Sequence, residues 1–263
     1  MKLALLSDIH GNRVALDAVI ADAQGLGVDA YWAVGDLVAI GPEPVAVLER
    51  FAELENLTAL RGNTDRYIVT GEGPPPSLEE ARADPELIDL YARVTGSFAW
   101  TRGFVTAAGW LDWIEQLPLE ARLTLPDGSR LLAVHASPGT DEGEGIHPAR
   151  SNAELAELVR GCEAEIVCAG HTHEPVLREL DGVRVVNLGC VSNPVAPDLR
   201  ASYLIVDATE SGTRLQHRRV SYDHRAFIDS VHRSRHPEAD FILSHQRGER
   251  RSRIPHADHA GPR

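Results

Sequence analysis

Lysine is nearly missing from this 263-residue chain: Lys2 is the only one, and 26 basic against 39 acidic residues leave a formal charge of −13. General nucleic-acid binding needs a basic footprint, so this balance argues against it. It does not exclude a small anionic substrate, because bound cations reverse the field of an acidic site. Cysteine is also sparse. Cys162, Cys168 and Cys190 form an odd set without a C-x-x-C pair, which excludes a disulfide framework and points to reduced thiols and a cytoplasmic protein. Apolar runs stay well short of the ~20 residues of a membrane span. The start of the chain shows no charged-then-apolar leader, and no internal repeat is evident.

What is present is globular: 43% hydrophobic and 25% charged residues can bury a sizeable core. The runs KLALLS, AYWAVG, LTALR, RLLAVH and EIVCAG read as buried strands. Helical spacing separates them. After Asn12, the residues Leu16, Val19, Ile20 and Ala23 share one face. EPVAVLERFAEL and SNAELAELVRG repeat the pattern, the latter with Ser151 and Glu154 spaced as a capping box. The expectation is an α/β fold in a single domain over residues 1–234. Residues 77–117 interrupt the rhythm as a helical insertion with its own small core, built on Phe98, Trp100, Phe104, Trp110 and Trp113; a lid over the site is the compatible functional alternative. Beyond Gly182 the chain reads as mainly antiparallel strands, and residues 235–263 as a flexible tail rich in Arg and His.

Each early strand ends in a residue able to bind metal: Asp8 and His10, then Asp36, Asn63, His135, and finally His171 with His173. Taken singly, each has a plain alternative. Asp8 or Asp36 can cap a helix, Asn63 can sit in a turn, and His135 can be a satisfied core histidine. The histidines from His217 onward read as solvated. Sites of open α/β sheets lie at the carboxyl ends of strands, so five such ends can converge on one point. Oxygen and imidazole donors without thiolate suit Mn²⁺, Fe or Zn²⁺, with Ni²⁺ as a further choice.

In order, DIH, VGD, GNTD, HASP and GHTH resemble the motifs of the calcineurin-like metallophosphoesterase superfamily, most of all its small bacterial and archaeal phosphodiesterase branch. The resemblance implies a four-layer α/β/β/α sandwich of two mixed sheets flanked by helices. It also implies two divalent metal ions, Mn²⁺ first. Asp8, His10 and His173 would hold one ion, Asn63, His135 and His171 the other, and Asp36 would bridge them. A hydroxide held between such cations hydrolyses phosphoester or phosphoanhydride bonds. Nucleotide-type phosphodiesters are the implied substrates. The alternatives are a non-catalytic interaction module of the same fold and a serine/threonine protein phosphatase.

Asp36, Asn63, His135, Asp65 and Arg66 are the expected catalytic set. Asp65 is read as orienting the Asn63 or His135 side chain, and Arg66, with Arg61, as a phosphate contact or a surface ion pair. The superfamily's phosphatases usually carry a histidine after GN that can protonate the leaving group. Here that residue is Thr64; His147, in the Gly-rich acidic loop GTDEGEGIH, could substitute but reads first as a plain loop residue. Cys190, in the stretch NLGCVSNP, is read as a structural thiol.

Overall fold

In the computed structural model, which describes residues 1–195 and 197–249, the first apolar run becomes strand β1 (Lys2–Leu6). Its side chains alternate between two cores: Leu3 and Leu5 enter one, Ala4 and Leu6 the other. A strand with no polar face has both faces covered, and here two different layers cover them.

One sheet runs in the order β10-β9-β1-β2-β3, with β2 (Ala30–Val34), β3 (Leu57–Leu60), β9 (Ala201–Thr209) and β10 (Gly212–Val220). β1, β2 and β3 are parallel; β9 and β10 join antiparallel. The second sheet runs β4-β5-β6-β8-β7, from β4 (Glu120–Thr124), β5 (Arg130–Val134), β6 (Ile166–Ala169), β7 (Val176–Leu180) and β8 (Val183–Asn187). Leu5, Val34 and Leu204 of the first sheet pack on Ala133, Ile166 and Cys168 of the second. Helices α1 (Arg13–Gly25), α2 (Pro44–Ala52) and α3 (Asn63–Thr70) cover the outer face of the first sheet, and α7 (Asn152–Leu158) covers the second. The result is the expected α/β/β/α sandwich of two mixed sheets.

Local signals explain the helices. Leu16, Val19, Ile20 and Ala23 are all buried, and the Asn12 side chain accepts the Ala15 N–H at 2.9 Å to cap α1. Ser151 and Glu154 form the capping box of α7.

Three expectations need correction. Residues 77–117 are helical, as α4 (Leu78–Ala83), a 3-10 turn, α5 (Ile88–Ala107) and α6 (Leu111–Glu115), but they have no separate core. Val94, Phe98, Val105 and Ile114 join the core of the first sheet, while Phe104 is exposed. Strands β4 and β7 escape the reading because exposed polar residues interrupt both. The strands after Gly182 are mainly antiparallel, as expected: β8 pairs antiparallel with β7, and β9 with β1 and β10, while β8 is parallel only to β6. Residues 235–249 are not a frayed tail. After α8 (His224–Ser234), helix α9 (Ala239–Gln246) packs with Ile242 fully buried. Its other anchor is polar: Gln246 Oε1 accepts from Tyr222 Oη at 3.1 Å and lies 2.8 Å from His224 Nδ1. Hydropathy cannot display such an anchor. The rest of the expected tail, 250–263, lies outside the described residues.

Candidate metal centre

Parallel strands deliver the seven residues expected as ligands to one end of the sandwich. Asp8 and His10 follow β1, Asp36 follows β2, Asn63 opens α3, His135 follows β5, and His171 and His173 follow β6. Asp8, His10, Asp36, His171 and His173 all adopt left-handed backbone, with φ of 56°, 46°, 55°, 70° and 65°. Each such residue costs on the order of 1–3 kcal/mol and persists only where its surroundings dictate it. Here the loops are spliced together: Asp8 N–H donates to Gly35 O at 3.1 Å and His10 N–H to Asp36 O at 3.0 Å. The packing leaves no room at two glycines. A Cβ on Gly62 would collide with Asp36, and one on Gly170 with Ser7 and Asp8.

Every imidazole in the cluster has one nitrogen tied to a backbone carbonyl. His10 Nδ1 pairs with Ala39 O (3.0 Å), His135 Nδ1 with Val34 O (2.9 Å), His173 Nδ1 with Asn193 O (2.9 Å) and His171 Nε2 with Gly143 O (2.8 Å). The tied nitrogen must carry the hydrogen, so the other, whenever the ring is neutral, presents a lone pair inward. Those inward nitrogens meet acceptors. His10 Nε2 and His173 Nε2 are 3.2 Å apart, and His173 Nε2 is 3.2 Å from Asp8 Oδ1. Asn63 Oδ1 is 3.2 Å from both His135 Nε2 and His171 Nδ1. Asp36 reaches both halves, with Oδ2 3.7 Å from His10 Nε2 and Oδ1 3.3 Å from His135 Nε2. Acceptor set against acceptor in a dry interior requires a positive charge between them.

The protonation pattern answers the same demand. Burial opposes the charge of Asp36, yet His135, His10 and His171 outweigh it and hold its carboxyl far below the usual range. Burial likewise opposes the charge of Asp8, and His173 outweighs it. Burial lowers His135, but Asp36 and Asp8 together raise it to about 10. His173 is likewise raised against burial, chiefly by Asp8. His10 is pushed down to about 4 and His171 is lowered, in both cases mainly by burial. One imidazole in each half thus holds a proton where a cation would serve. The donor set, buried carboxylates, an amide oxygen and neutral imidazoles, fits divalent cations of intermediate hardness.

Two other expectations resolve differently. Asp65 does not orient Asn63 or His135. Its carboxylate accepts backbone N–H groups of Asp36 (2.8 Å), Gly62 (2.9 Å) and Leu37 (3.0 Å), binding the two loops that carry Asp36 and Asn63. Arg66 is engaged elsewhere: Nε lies 3.2 Å from Asp141, Nη2 2.6 Å from Glu142 and Nη1 2.6 Å from Glu72. Arg61 adds a second bond to Asp141 at 3.1 Å. Both arginines therefore anchor the acidic loop that offers Gly143 O to His171, and the pairing is with loop carboxylates, not Asp65. His147 is not among the described residues that line the cavity over the cluster.

That cavity, of about 200 Å³, is walled by His10, Asp36, Asn63, His171 and His173 together with Thr64, and by Phe241 and His245 of α9. The only sign of these two in the sequence is their four-residue spacing, within a segment rich in Arg and His and poor in apolar periodicity. Thr64 donates its N–H to Asp36 Oδ1 at 3.0 Å, while its buried hydroxyl has no hydrogen-bond partner among the described residues. Burial pushes the Cys190 thiol up, in keeping with a structural role.

The sequence profile of the calcineurin-like phosphoesterase superfamily domain matches residues 1–211. The chain belongs to this superfamily. Membership supports metal-dependent phosphoester hydrolysis, and the superfamily binds divalent metals at a dinuclear site. A protein of Methanocaldococcus jannaschii described as uncharacterized is 26% identical over 254 residues, covering 90% of this chain and 94% of that protein. Two solved structures share the fold. A hypothetical protein from Pyrococcus horikoshii superposes with TM-score 0.76 at 21% identity, covering 92% of this chain and 96% of that one. A metallophosphoesterase from Sphaerobacter thermophilus superposes with TM-score 0.71 at 24% identity, covering 94% and 99%. No helix among the described residues is long and apolar enough to cross a membrane.

Proposed function

We propose that this phosphoesterase is a phosphodiesterase acting on small nucleotide-type esters, with two divalent cations, Mn²⁺ first, held by the seven converging residues. One observation supports the reading: the inward nitrogens of four histidines crowd against one another and the oxygens of Asp8, Asp36 and Asn63, an arrangement that needs positive charge, from protons on His135 and His173 or from cations in their place. Asp8, His10 and His173 would hold one cation and Asn63, His135 and His171 the other, with Asp36, whose two oxygens turn toward the two halves, able to serve both. When bound, such a pair activates water and offsets the charge of the phosphate.

The chain's own residues do the rest. The carbonyls of Ala39, Val34, Asn193 and Gly143 fix each imidazole's tautomer, so no ligand reorients during turnover. Asp65 keeps the Asp36 and Asn63 loops in register. The Thr64 hydroxyl, which has no hydrogen-bond partner among the described residues, is free to donate to a phosphate oxygen. The small, walled cavity favours a compact ester over a protein surface. Three free, buried cysteines support a cytoplasmic location.

The test is a panel of phosphate esters assayed with Mn²⁺, Fe²⁺, Zn²⁺ or Ni²⁺ and with chelator. Metal-dependent cleavage of diesters ahead of monoesters is expected. No turnover with any metal would favour the interaction module.

A further inference from the structure

The cavity over the metal cluster is small, but it is not isolated. A larger one of about 410 Å³ adjoins it, and Tyr67, Pro74 and Phe98 line both. One wall of the larger cavity is a single face of α5: Tyr91, Val94, Phe98 and Arg102 follow one another at helical spacing. The opposite wall is the loop from Gly71 to Leu78, which brings Pro76 and Ser77. Phe98 is held edge-on to Tyr67, with ring centroids 5.6 Å apart, and the Tyr67 hydroxyl is bonded to Glu142. The shared wall is therefore rigid.

We propose that this second cavity is the subsite for the nucleoside of the substrate diester, whose phosphate lies over the metal cluster. The inference rests on the phosphodiesterase reading and adds where the non-reacting half binds. Its volume falls in the range of small-molecule sites, whereas about 200 Å³ over the cluster accommodates little beyond the phosphate and its attached atoms. Its lining suits a flat heteroaromatic group. Tyr91, Val94 and Phe98 offer an apolar, aromatic surface, while Ser77, Thr95 and Arg102 supply hydrogen-bonding groups. A long acyl chain would find no use for that polar set, and a methyl ester would leave the space unfilled. The helical insertion thus acts as a specificity wall.

The experiment compares two diesters with the same leaving group, thymidine 5′-(4-nitrophenyl) phosphate and methyl 4-nitrophenyl phosphate, under saturating Mn²⁺. The ratio of their kcat/KM values reports the nucleoside alone. Base stacking of this kind is worth about 10- to 100-fold, which is the preference expected of the unaltered protein. Thr95→Trp and Ala99→Trp each place a bulky ring in the cavity from an exposed position of α5. Both should bring the ratio close to one, with circular dichroism confirming the fold. A ratio near one in the unaltered protein, or a preference that survives both substitutions, would overturn the subsite. Failure to cleave either ester would instead overturn the phosphodiesterase reading, and the subsite with it.

Discussion

Asp36 Oδ1 lies 3.3 Å from His135 Nε2, and both side chains are withdrawn from solvent. The other oxygen of the same carboxylate turns toward His10 at 3.7 Å, so one anion spans two groups of imidazoles. Replacing the carboxylate by an amide removes the shared charge while keeping the shape. Because losing even an outer-shell partner of a metal site costs about 10–100-fold, Asp36→Asn should lower kcat/KM by at least about 100-fold. It should also lower metal content, read by elemental analysis. Undiminished Mn²⁺-dependent turnover would remove Asp36 from the bridge.

Metal binding should release protons. His135, raised to about 10, and His173, also raised, are protonated at neutral pH before a cation arrives. Each must give up its proton to become a ligand. Apparent affinity should therefore rise with pH, and the release should fade as pH approaches the raised values. Calorimetry in buffers of different ionisation enthalpy should report at least about two protons lost per pair of cations at pH 7, with any water ionised at the cations adding to that number. Binding without proton loss would contradict the ligand assignment.

Asp65→Asn tests the clasp between the two loops. The carboxylate accepts three N–H groups, and an amide would turn a donor toward at least one of them. A loss of about 1–3 kcal/mol in unfolding free energy is expected, measured in denaturant, with weaker metal binding beside it. Unchanged stability would mean that the loops are held by other contacts.

Arg66→Gln should act on the acidic loop and not on substrate. It breaks bonds to Asp141, Glu142 and Glu72, although Arg61 still reaches Asp141. With one partner retained and Arg66 partly solvated, the cost should be about 1–2 kcal/mol in unfolding free energy. A large rise in KM at unchanged stability would return Arg66 to the substrate.

Thr64 bears on leaving-group chemistry. With threonine and not an acid beside Asn63, turnover should fall steeply as leaving-group pKa rises, so aryl diesters and phosphoanhydrides outpace alkyl monoesters. Positioned acids contribute about 10²–10⁴-fold where they operate. A flat series would reveal such a donor. The cavity would then single out His245 of α9, not His147, and His245→Gln should restore the steep dependence.

How much of this was legible in the sequence depended on distance along the chain. Asp8 and His10 could be read because β1 is a plain apolar run whose end is unmistakable, and the same holds at Asp36, His135 and His171. Asp65 could be noticed but not understood, since its partners are backbone N–H groups that no side-chain pattern displays. Arg66 meets Asp141, 75 residues away, through a loop whose path composition does not encode. Helix α9 was hidden because Gln246 and His224 anchor it by hydrogen bonds as much as by apolar burial. Helix α9 brings Phe241 and His245 to the cavity over the cluster.

The central claim is a dinuclear centre bridged by Asp36, and anomalous scattering from crystals loaded with Mn²⁺ tests it most directly. Two peaks about 3.5–4 Å apart are expected. One should be contacted by Asp8, His10 and His173, the other by Asn63, His135 and His171, with Asp36 touching both. A single peak, or a pair in which Asp36 contacts only one ion, would contradict the account.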